Sequence, residues 1–109
     1  MRKQDKHKRE RAVARIQWDK TGKIVRSRAG KDSGNAYVVA SQKGNRLLIV
    51  DGDIRGVQTP KIKNIKHVDQ VMDIASEEWK RLMQYQDAGQ QNAMIRRWIR
   101  QLREETKDV

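Results

Sequence analysis

The chain has 109 residues, 25 Lys and Arg against 14 Asp and Glu, and a formal net charge of +11. That length suits one compact domain with appendages rather than two domains. The absence of cysteine excludes a disulfide framework, a thiolate metal site and a thiol nucleophile.

No apolar run approaches the roughly 20 residues of a membrane span, and the N-terminus lacks the apolar stretch of a secretory leader, so the cytoplasm is the expected compartment. Charge is unevenly placed. Residues 1–20 carry eight basic side chains against three acidic, residues 21–67 ten against three, and residues 68–109 seven against eight, giving +5, +7 and −1. A basic two-thirds joined to a neutral third points to one polyanion-binding face. Residues 1–11 show no apolar side to insert into a bilayer, so no membrane partner is expected. With three Trp, two Tyr and no Phe, an aromatic base-stacking platform is not expected, and binding energy must come mainly from charge.

In chain order, residues 1–20 read as a basic arm, partly disordered or helical. From Gly22 onward short β-type runs alternate with turns. Lys23–Ser27, Ala36–Ala40 and Arg46–Val50 are expected strands, with Ile54–Val57 a short fourth. The connectors Gly30–Gly34, Lys43–Asn45 and Asp51–Asp53 each supply a glycine. Strands this short and closely spaced suggest a small antiparallel barrel. After Pro60, the run Lys61–His67 alternates basic and apolar residues, and if extended leaves its lysines pointing outward. Val68, Val71, Met72, Ala75, Trp79, Leu82 and Met83 then recur at helical spacing, with a stop expected near Gly89. Asn92 is placed to cap a second helix, in which Met94, Ile95, Trp98, Ile99 and Leu102 form an apolar stripe. Trp79 and Trp98 read as packing anchors, and Arg96, Arg100 and Arg103 as a stripe that can touch RNA but reads first as a solvated face paired with Glu104 and Glu105.

The stretch Gly22–Gly34 resembles a KOW motif. Val50–Arg55 followed by Pro60–His67, with its Pro-Lys-x-Lys-Asn-x-Lys-His run, is similar to small bacterial KOW-domain RNA-binding proteins related to a KOW-bearing large-subunit ribosomal protein family of archaea and eukaryotes. The resemblance spans roughly residues 22–68. It implies an SH3-like antiparallel β-barrel of the KOW type (21–68), which with the basic arm (1–20) and the C-terminal helical hairpin (69–109) read from the residues gives an expected α+β chain in three parts. It also implies an RNA partner, ribosomal RNA first, with large-subunit ribosomal proteins as further partners. The long arm before Gly22 departs from the family pattern.

The candidate RNA contacts on this reading are Arg26, Arg28, Gly30, Lys31, Gly34, Lys43, Arg46, Arg55, Lys61, Lys63, Lys66 and His67. Glycines at 30 and 34 allow a tight loop whose amides can approach a sugar-phosphate chain, and Lys31 with Arg26 and Arg28 supplies charge at the same end. His67 can contact RNA or serve as a partly buried structural residue; Tyr37 can stack a base or belong to the core. Asp51-Gly52-Asp53 lacks the further oxygen ligands of a calcium loop and reads as a hairpin turn. No nucleophile–base pairing is apparent, and the Gly30 loop lacks P-loop spacing. Neither a catalytic site, a metal, a cofactor nor a small-molecule substrate is therefore expected. The alternative is a protein-interaction module like the KOW domains of NusG-type transcription factors, using the barrel or the hairpin. Double-stranded DNA ranks third, since no helix has the make-up of a major-groove reader.

Overall fold

The computed structural model describes residues 19–107, with side chains through Glu105. Most of the expected basic arm lies outside the described residues. The elements are β1 (Lys23–Ser27), β2 (Ala36–Lys43), β3 (Arg46–Val50), β4 (Lys61–Asn64), a 3-10 turn (Ile65–His67), β5 (Val68–Asp73), helix α1 (Ser76–Gln84) and helix α2 (Ala88–Lys107). The fold is α+β: one five-stranded antiparallel sheet in the order β4-β3-β2-β1-β5, with two helices.

Strand residues alternate between two faces, and each face has its own core. Ile24, Ala36, Val38 and Val50 pack against Leu82, Met94, Ile95, Trp98, Ile99 and Leu102 of the helices. The helix stripe read from the sequence is thus the surface that covers the sheet. Val25, Tyr37, Val39, Leu47, Ile49 and Val68 form the second core, which contains no helical residue and is nevertheless buried. Only curvature of the sheet over itself can remove that face from water. Irregular pairing at Ile24/Val25 and at Val39/Ser41 supplies the bend, because a bulge adds a residue to one strand and increases its twist. The ladder does not close: β4 and β5 are its edges and do not pair with each other. The structure therefore has a curled open sheet where a closed barrel was expected.

Three expectations for individual elements are corrected. Ile54–Val57 is turn and loop rather than strand, and the fourth strand is β4. Residues 68–73, expected to begin a helix, are β5, paired with β1 from Ser27–Val68 to Lys23–Asp73. The free backbone edge of β1 outweighs the helical spacing there, and Val71 and Met72, counted for a core stripe, are exposed. Helix α2 starts at Ala88, with the Asp87 carboxylate accepting from the Gly89 amide. Gly89 therefore lies in the first turn instead of ending a helix, and Asp87 takes the capping position expected of Asn92. Asn92 is buried one turn further on, where its side chain accepts from the Val57 amide and donates to Gln58.

Candidate nucleic-acid interface

The segment joining β1 to β2 is fixed from within. The Ser33 amide donates to the Gly30 carbonyl, that of Gly34 to Ser27 and that of Asn35 to Asp32. Gly30 and Gly34 take φ of +84° and +90°, which side-chain-bearing residues rarely adopt. Three of the loop's amides are thus engaged, and the exposed Lys31 supplies its cation.

Beneath the loop lies a nearly buried ion-pair cluster. Lys61 Nζ is 2.7 Å from one oxygen of Asp32, and Lys63 Nζ is 3.0 Å from the other and 2.8 Å from the Ala29 carbonyl. The Ser27 hydroxyl donates to the same carboxylate. Contact with the Lys61 ammonium, helped by Lys63 and Ser27 and opposed by burial, holds the Asp32 carboxyl far below the usual carboxylate range. The ladder explains the arrangement. Lys61 stands opposite Ile49 and Lys63 opposite Leu47, so both lysines point into the concave face, whereas Ile62 points out and is 61% exposed. This reverses the orientation expected of the run. Charged side chains turned inward on an edge strand also discourage the edge from pairing with another chain, and Asp32 supplies the countercharge that makes the position tolerable.

A second fixed turn follows β3. The amides of Asp51 and Gly52 donate to the Arg55 carbonyl, and the Asp51 carboxylate accepts from the amides of Asp53 and Arg55. The turn is seated on α2, where Arg96 donates to the Gly52 carbonyl. At Gly52, with φ of +79°, a Cβ atom would lie 2.3 Å from the Asn92 carbonyl oxygen, so glycine is what lets turn and helix approach.

Loop, turn, strand and helix together border one groove. Lys31, Arg55 and Lys61 surround a hollow with Asn35, Tyr37 and Ile54. Asn35, Asp51 and Ile54 are shared with an adjoining open hollow of about 340 Å³ whose far wall is Arg96, Arg100 and Arg103 of α2. Cations from four separate stretches of sequence therefore line these two adjoining hollows at one end of the sheet. Lys31, Arg55 and Arg100 have no side-chain ion pair or hydrogen bond among the described residues, so their charge is available to an anion. Asp32, Asp51 and Asp53 are the acidic groups among the lining residues.

The twelve candidate residues divide accordingly. Lys31, Arg55 and Lys61 line the groove, with Gly30 and Gly34 shaping its loop. Lys63, only 11% exposed at its side chain, is an internal counter-ion and not a surface cation. Arg28 and His67 meet through the Arg28 amide and the His67 carbonyl, and the exposed Arg28 guanidinium is 3.5 Å from Asp69. Lys66 is exposed on the 3-10 turn beside His67. Lys43 and Arg46 form the last rung of the β2–β3 hairpin and do not line the groove. Arg26, opposite Ala36, shares the face that packs on the helices, with its Nε buried and unpartnered. Tyr37 is buried and belongs to the core.

No family model and no curated protein matches the sequence. Among the described residues there is no acidic or histidine cluster able to hold a metal ion and no helix long and apolar enough to cross a membrane. The residues that sequence reasoning undervalued are Arg96, Arg100 and Arg103. Their spacing put them on one face of a helix, but only the seating of the Asp51–Arg55 turn on α2 shows that this face borders the groove.

Proposed function

We propose that this is a non-enzymatic, ribosome-associated RNA-binding protein of the KOW type, which grips structured RNA through phosphate contacts along the groove. The observation that carries the reading is that Lys31, Arg55 and Lys61 line one hollow and Arg100 the hollow adjoining it, with three of the four having no side-chain partner among the described residues. Converging cations from separate elements track a phosphate chain and add a strong, shape-dependent affinity. The resemblance of Gly22–Gly34 to a KOW motif supports RNA over other polyanions. The sheet supports an SH3-like class, since a four-stranded meander extended by β5 on β1, with its second face buried without helices, has the strand number and core of a small barrel.

The NusG-like alternative needs a free apolar surface on the helices. Trp98 is 8% exposed within the core and Trp79 packs against that core and beside Gly22, which favours the RNA reading, while Met83 of α1 is 64% exposed at an apolar hollow that Trp79 also lines. Sedimentation of a cell lysate through a sucrose gradient tests it. The protein should travel with the large ribosomal subunit at low salt and leave it at high salt; migration at the top of the gradient at every salt concentration would count against a ribosomal role.

A further inference from the structure

Ile54 is 83% exposed, yet it sits on a turn held by the Asp51 carboxylate, by the Arg55 carbonyl and by Arg96 of α2. A branched apolar side chain presented on a fixed turn can be covered by a ligand with little ordering cost to the backbone. Its surroundings are specific in kind. Arg100 and Arg55 stand on either side of it, and the carboxylates of Asp51 and Asp53 lie beside it.

That mixture fits a nucleotide better than an acidic peptide. A nucleotide carries its negative charge on phosphate, offers an apolar base face, and presents amino donors at the base edge that a carboxylate can accept. The side chains of an acidic peptide would meet Asp51 and Asp53 with like charge. A hollow of about 340 Å³ admits a group the size of one nucleotide, not a duplex.

We propose that this hollow receives a single unpaired nucleotide, bulged or looped out of a structured RNA, with its base against Ile54, its amino edge toward Asp53 and its flanking phosphates on Arg100 and Arg55. The inference rests on the RNA reading above and adds what kind of RNA feature the site selects.

Fluorescence anisotropy with two hairpins, one fully paired and one carrying a single bulged cytidine, tests it on the full chain. Wild type should bind the bulged hairpin about tenfold more tightly, the gain expected from covering one apolar side chain. Ile54→Ser should remove most of that gain, bringing the affinity for the bulged hairpin down toward that for the paired one, with an unaltered circular dichroism spectrum and melting temperature. Lys31→Glu should weaken both hairpins alike. Equal wild-type affinity for the two hairpins would overturn the nucleotide pocket while leaving RNA binding standing, and competition by polyglutamate as strong as that by RNA would overturn it in favour of an acidic protein. Failure to bind either hairpin would remove both readings.

Discussion

Lys63 Nζ lies 3.0 Å from Asp32 Oδ1, joining two side chains that are 31 residues apart and only 11% and 9% exposed. Together with Lys61 this pair fastens the β1–β2 loop to the edge strand β4, and so fixes where Lys31 stands at the mouth of the groove. Lys63 is consequently a positioning residue for the proposed binding surface rather than a part of it.

Removing the carboxylate should strand two inward ammonium groups. Asp32→Asn is expected to lower stability by about 3 kcal/mol, the scale for breaking a buried ion pair from one side, measured by urea unfolding at pH 7. Acid should reveal the same interaction. The Asp32 carboxyl is held below its ordinary value of 3.8 by Lys61, Lys63 and Ser27, so its contribution is complete above that value and is lost as pH falls toward the folded-state value. The stability difference between wild type and Asp32→Asn should therefore be constant near neutrality and shrink below about pH 4. A difference that stays constant down to pH 2.5 would show that the carboxylate charge is not what matters.

Gly52 and Gly34 share a positive φ but not a neighbourhood. At Gly34 an added Cβ meets nothing within 4 Å, whereas at Gly52 it meets the Asn92 carbonyl at 2.3 Å. Gly34→Ala should cost about 1 kcal/mol from backbone conformation alone. Gly52→Ala should cost about 2 kcal/mol more, since the turn must leave the helix or the helix must shift. Urea midpoints for the two variants decide this, and equal losses would mean that the turn is not seated on α2 as described.

Charge reversal at two lysines separates surface from scaffold. Lys31→Glu should leave the melting temperature within a few degrees of wild type and weaken RNA binding about tenfold or more, across unrelated structured sequences. Lys63→Glu should instead destabilise the fold, because it sets two carboxylates against each other in a nearly buried cluster. Melting temperature and filter-binding affinity measured on both variants check the contrast; a stable Lys63→Glu protein with selectively lost binding would return Lys63 to the surface.

What could be read from the residues differs from element to element. Strands β1, β2 and β3 and the apolar stripe of α2 follow from local pattern, because Val25, Val39, Leu47, Ile49 and Ile95 are all fully or almost fully buried at the faces their spacing assigns. β5 was hidden because Val68, Val71 and Met72 continue the helical spacing of Ala75 and Trp79, and only the unpaired edge of β1 makes them extended. The orientation of β4 was hidden for a related reason: alternation alone says Ile62 in and lysines out, and the buried Asp32 that reverses it lies on a distant loop. The glycine-bounded loop carrying the exposed Lys31 was legible. The groove's second wall on α2 was not, since nothing local to Arg100 reveals that the Asp51–Arg55 turn lies beside it.

The affinity for structured RNA as a function of salt tests the convergence of these cations most directly. With about five phosphates neutralised, the logarithm of the binding constant should fall against the logarithm of salt concentration with a slope near −4, and Arg100→Glu should make that slope shallower by about one. Affinity that is flat from 50 to about 200 mM salt, or a slope indifferent to Arg100, would contradict a phosphate-gripping groove.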